Sequence, residues 1–100
     1  MLDKLSNVES QYEGLMTRLG TAEVQADPAE YRRAAKALSD LEPLVQKYRE
    51  YKAVSQDIAH TEELIEGGDP EMRDLALEEL NQLNVQKERL SDQLKILLVP

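Results

Sequence analysis

The chain has 100 residues, 20 Asp and Glu against 12 Lys and Arg, a formal charge of −8, no Cys, no Trp, no Phe and four Tyr. That arithmetic excludes a disulfide-stapled scaffold and a cysteine-based zinc site. It also argues against a strongly basic nucleic-acid module, because phosphate contacts need cationic side chains. What remains is a single small domain rich in Leu, Glu, Gln and Lys, whose unbranched side chains lose little freedom in a helix.

The first predicted helix spans about residues 2–19. Its apolar positions Met1, Leu5, Val8, Tyr12, Leu15 and Leu19 recur at steps of four and three, a heptad seam and not a strand alternation. Gly20 follows the last of them and is expected to stop the helix in a left-handed conformation. Residues 20–27 form a connection with room for a short turn around Val24.

Asp27-Pro28 opens the second helix, with Asp as cap and Pro at the first position, where a missing N–H is harmless. Tyr31, Ala34, Leu38, Leu41, Val45 and Tyr48 continue the seam, which then slips by three residues to Tyr51, Val54, Ile58 and Ile65. Pro43 interrupts the run, since an interior Pro removes a hydrogen bond and crowds the carbonyl four residues back. Two readings stand. The preferred one is a single helix over about 28–66, kinked near Pro43. The other divides it, with Ser39 or Asp40 capping a second helix.

Gly67-Gly68 ends this segment, and Asp69-Pro70 repeats the start signal. The last predicted helix covers about 70–97, with Ala76, Leu80, Leu83, Leu90, Leu94 and Leu97 on one stripe. Lys87 falls where the heptad expects an apolar residue. It reads as a seam-edge lysine with a buried stem, or as a polar residue that sets register. Short connections make neighbouring helices antiparallel. The expected fold class is therefore all-α: an antiparallel three-helix, coiled-coil-like bundle with a long middle helix that Pro43 kinks or divides.

Chemistry is sparse. His60 is the only histidine, lacks any H-x-x-x-H or H-E-x-x-H partner and reads as a surface residue. The carboxylates Glu62, Glu63, Glu66, Asp69, Glu71 and Asp74 flank the glycine pair, yet they lack the alternating oxygen ligands of a calcium loop. Asp69 reads as a helix cap, with Glu71 and Asp74 favourable near the positive helix end. Gly14 and Gly20 fail the phosphate-loop pattern, because Thr21 and not Lys follows Gly20. Arg32, Arg33 and Lys36 read as a solvated helix face, with contact to RNA phosphate as the second reading. No catalytic, cofactor-binding or metal-ligating residue is assigned, no cofactor is expected, and neither a secretory signal nor an apolar run long enough for a membrane span is visible. An interaction role is favoured over an enzyme, and the default location is cytoplasmic.

Several blocks carry a family resemblance: MLDKL at the start, Tyr31-Arg32-Arg33, LVQKYREYKAV, and above all GGDPEMRDLALEEL followed by Leu97-Leu98-Val99-Pro100. Together they resemble, over all 100 residues, the amino-terminal helical domain of the bacterial type-one peptide chain release factors. The resemblance implies a ribosome-associated domain of a factor that reads UAA and UAG and triggers hydrolysis of peptidyl-tRNA. It implies docking at the large-subunit stalk base, against ribosomal RNA and protein. It further implies a class II release factor and a release-factor glutamine methyltransferase as partners of the whole factor, with no membrane and no small-molecule substrate. The Gly-Gly-Gln and Pro-x-Thr motifs on which such factors depend do not occur here; the only glycine pair precedes Asp69. The expectation is a chain that continues beyond Pro100. The alternative is a stand-alone coiled-coil adaptor or oligomerisation module.

Overall fold

A computed structural model describes residues 1–100. Four helices follow in chain order: α1, Leu2–Leu19; α2, Ala22–Gln25; α3, Pro28–Gly67; and α4, Pro70–Leu97. There is no strand. The three long helices match the expected ones to within a residue at each end, and α2 is the turn expected around Val24. The chain divides into two compact units, Met1–Gln46 and Lys47–Pro100, with α3 contributing to both.

In the first unit, α1 and the start of α3 run antiparallel. The Arg18 guanidinium, at the end of α1, donates to the Glu30 carboxylate in the first turn of α3. Leu5, Ala34 and Val45 are buried, while Val8, Tyr12, Leu15, Leu19, Leu38 and Leu41 are half-buried. Tyr31 departs from the expected seam and is 43% exposed. It stands in the first turn of α3, where it lines an open hollow with Gln25, Pro28 and Arg32.

Gly20 ends α1 differently from expectation. Its φ is −87° and its ψ −4°, and no glycine in the chain has a positive φ. The helix closes instead through a tight last turn, with the Gly20 and Thr21 amides donating to the Thr17 and Arg18 carbonyls at 3.1 and 3.0 Å. Thr21 then supplies the extended residue that redirects the chain (φ −84°, ψ 148°), and its hydroxyl accepts from the Val24 amide at 3.3 Å.

Both Asp-Pro starts behave as caps. Asp27 Oδ1 accepts from the Glu30 amide at 3.2 Å, and Asp69 Oδ1 accepts from the Glu71 amide at 3.3 Å. The α3 helix passes through Pro43 unbroken, so the two-helix reading is set aside. Pro43 and Ser39, four residues back, are both exposed. The carbonyl that loses its donor is therefore on a solvated face, where water can replace the missing N–H.

In the second unit the rest of α3 runs antiparallel to α4. Val54 and Ile58 meet Leu83 and Leu90 in one buried cluster, with Tyr51 and Leu80 packed against it. Leu94 is fully buried, whereas Leu97, expected on the same stripe, is 43% exposed. Leu97 lies with Ile96, Gln93 and Lys47 around a shallow hollow, in the last turn of α4. Thr61 occupies the stripe position between Ile58 and Ile65 and is the chain's one buried polar residue.

Candidate functional site

The candidate residues of the sequence fall on separate helix faces. His60 is exposed on α3. Nowhere do three His, Cys, Asp or Glu side chains converge as metal ligands would. Of the basic cluster, Arg33 donates to Glu30 Oε2 at 2.7 Å and Lys36 pairs with Asp40 at 3.3 Å. Arg32 lines a small hollow with Gln25, Pro28 and Tyr31. Two of the three cations are thus answered by carboxylates on their own helix, which leaves little charge for phosphate.

Glu30 ties three charged groups together. One of its oxygens accepts from Arg18 on α1 and the other from Arg33 on α3. The Arg33 hydrogen bond and charge, with Arg18 adding to them, hold the Glu30 carboxyl below its ordinary 4.5. In return the Glu30 bond raises Arg33 above its ordinary value. This cluster is solvent-exposed and fastens α1 to α3; it is not arranged around a reacting group.

Lys87 has its ammonium over the Tyr51 ring, 5.5 Å from the centroid, and its side chain is half-buried. That is the seam-edge geometry: the stem packs beside the core and the charge sits on an aromatic face.

What the structure does present is surface. A groove of about 860 Å³ runs between α1 and α3, lined by Gln11, Gly14, Leu15, Ala37 and Leu41 with Arg18 and Asp40. Gly14 contributes to its openness, since a Cβ there would meet nothing within 4 Å. A second groove, of about 340 Å³, lies where α3 turns into α4. Thr61 and Leu64 of α3 face Met72, Leu75 and Ala76 of α4 across it, and Asp69 and Glu79 line it too. Leu64, Met72 and Leu75 are 45, 55 and 64% exposed. Sequence reasoning passed over Thr61, Leu64 and Leu75. Their signal is positional: Met72, Leu75, Ala76 and Glu79 stand at i, i+3, i+4 and i+7, a face of α4 that borders its buried stripe and shares Ala76 with it.

Comparison with known proteins shows the family. The PCRF domain model matches residues 8–100. The chain belongs to the PCRF domain family. Its PCRF domain is 40% identical over 101 aligned residues to peptide chain release factor 1 of Bacillus subtilis (strain 168). The corresponding figures are 43% for peptide chain release factor 1 of Bacillus cytotoxicus and 36% for that of Clostridium perfringens (strain 13). Each alignment covers 100% of this chain and 28% of the relative, so the chain spans somewhat over a quarter of the length of those proteins. No solved structure matches. In this PCRF domain no helix is long and apolar enough to cross a membrane.

Proposed function

We propose that the chain is the amino-terminal, ribosome-associated domain of a cytoplasmic class I peptide chain release factor acting at UAA and UAG. The observation that carries this reading is the end-to-end alignment with release factors 1 from Bacillus and Clostridium. The geometry agrees with a binding role: two open grooves lined by apolar and charged side chains. On this reading the domain docks at the large-subunit stalk base, and codon reading and peptide release belong to segments bearing the Pro-x-Thr and Gly-Gly-Gln motifs. The class II release factor and the glutamine methyltransferase are partners of the whole factor.

The test has two parts. The intact mass of the native gene product should far exceed that of a 100-residue chain, with peptides that include Gly-Gly-Gln. The purified native product should release peptide from ribosomes programmed with UAA or UAG and not UGA, while the 100-residue chain alone releases none. A native product of only 100 residues would replace this reading with a free-standing helical adaptor. Stop-codon-dependent release by the chain alone would show that catalysis resides in it.

A further inference from the structure

Charge is distributed very unevenly along this chain. Residues 60–79 carry eight carboxylates, from Glu62 to Glu79, and a single cation, Arg73, a formal −7 out of the chain's −8. The other eighty residues together are close to neutral. None of the eight is paired with a cation; the ion pairs formed by Arg18, Arg33, Lys36 and Lys47 all lie outside this segment. This same segment forms the α3–α4 turn that holds the groove between Leu64, Met72, Leu75 and Ala76. The most acidic segment of the molecule therefore also holds one of its exposed apolar surfaces, with Asp69 and Glu79 in the lining itself.

Each half of that arrangement is unfavourable alone. Unpaired like charges repel one another and oppose compaction. Exposed Leu64, Met72 and Leu75 forgo the stabilisation of burial, roughly 25 cal/mol per Å² of apolar area. One kind of occupant relieves both: a helix with an apolar stripe for the groove and Lys or Arg on either flank. The lining supports it geometrically. From Met72 to Glu79 the α4 face extends about 10 Å at 1.5 Å per residue, enough to receive apolar residues at i, i+3 or i+4, and i+7 of a facing helix. Met72 adds an unbranched side chain that adapts to the shape of an inserted residue. Nucleic acid is the wrong partner here, because phosphates would approach a field of their own sign.

We propose that the α3–α4 turn is a docking site for a cationic amphipathic helix of a protein partner, seated on Leu64, Met72, Leu75 and Ala76, with Asp69 and Glu79 of the acidic segment in its lining. The inference stands on this turn's own charge and shape, and goes beyond the ribosome reading without depending on it.

The test uses the 100-residue chain, isotope-labelled for NMR, and three probes. The first is a 14-residue helical peptide with Leu at i, i+3, i+4 and i+7 and Lys on the flanks. The second has the same composition in scrambled order, and the third is a short RNA hairpin. The patterned peptide should shift Leu64, Met72 and Leu75 resonances and bind at least tenfold more tightly than the scrambled one. Its affinity should fall as salt screens the carboxylates. Leu75→Gln should weaken it at least tenfold without changing the melting temperature, since Leu75 is 64% exposed. Leu77→Gln, a similar change at an exposed α4 residue outside the groove, should leave affinity unchanged. Equal binding of the scrambled peptide, tight binding of the RNA at this turn, or indifference to Leu75→Gln would overturn the proposal.

Discussion

The Lys87 ammonium on α4 lies 5.5 Å from the centre of the Tyr51 ring on α3, so the one charged residue in the α4 stripe is answered by an aromatic face. The position is not a defect in the core. A cation on an aromatic face at a partly exposed site is worth about 0.5–1 kcal/mol. A double-mutant cycle with Lys87→Met and Tyr51→Leu should return a coupling of that size by urea unfolding. A coupling near zero would mean that the two side chains are neighbours without attraction.

Leu94 is fully buried at the far end of the same stripe. Leu94→Ala should cost about 2–5 kcal/mol through lost transfer energy and the cavity left behind. Leu97→Ala, one turn on and 43% exposed, should cost well under about 1 kcal/mol. Chemical denaturation of both variants makes the comparison. Similar losses would show that the burial gradient along α4 does not operate in solution.

The two adjacent glycines should respond oppositely. A Cβ at Gly68 would collide with the Leu64 carbonyl oxygen, whereas one at Gly67 would meet nothing within 4 Å. Gly67→Ala, at the last residue of α3, should therefore be neutral or stabilising by up to about 1 kcal/mol, since Ala is the better helix former. Gly68→Ala should lower the melting temperature. The reverse order would reassign which glycine makes the turn.

Ser55 has a buried hydroxyl oxygen without a hydrogen-bond partner. Removing an unsatisfied buried group relieves a desolvation cost, so Ser55→Ala should stabilise by about 0.5–1 kcal/mol. A clear loss of stability would reveal a partner, such as a bound water, for that hydroxyl.

Glu30 gives the fold an acid-sensitive fastening. Its folded-state carboxyl titrates below the ordinary 4.5, chiefly because of Arg33, so folding favours the ionised form. The resulting stability is fully present above about pH 4.5, the unfolded-state value, and is lost as pH falls through the lower folded-state value. Glu30→Gln should melt below wild type at pH 7 in low salt, and the gap should close in acid and shrink with added salt. A gap independent of pH would assign the effect to packing.

Much of the fold was legible because its signals are local. Asp27-Pro28 and Asp69-Pro70 place two helix starts through chemistry confined to a few neighbouring atoms, and both caps form. The three-and-four spacing located Val54, Ile58, Leu83 and Leu90 in the core for the same reason. Failures arose where burial depends on which element lies opposite. Tyr31 fits the heptad but stands in the first turn of α3, and Leu97 in the last turn of α4, and both are 43% exposed. Gly20 misled differently: the left-handed ending is one way to stop a helix, and Thr21 supplied another. Thr61 was missed because periodicity was read in apolar letters alone, although its β-branched side chain fills an apolar slot. The groove at the α3–α4 turn needed the second helix in place before Leu64 and Leu75 could be seen to share a surface.

Pro43 leaves a mark on α3 that exchange with heavy water should read out. A 40-residue helix ordinarily guards its amides as one cooperative ladder, but here residue 43 has no amide and the Ser39 carbonyl lacks its usual donor. The rungs before and after it are joined by covalent chain and by neighbouring bonds, not by that missing one. The amides of Tyr31–Glu42 and those of Leu44–Gly67 are then separate clocks, able to open at different free energies though the rod that carries them is continuous.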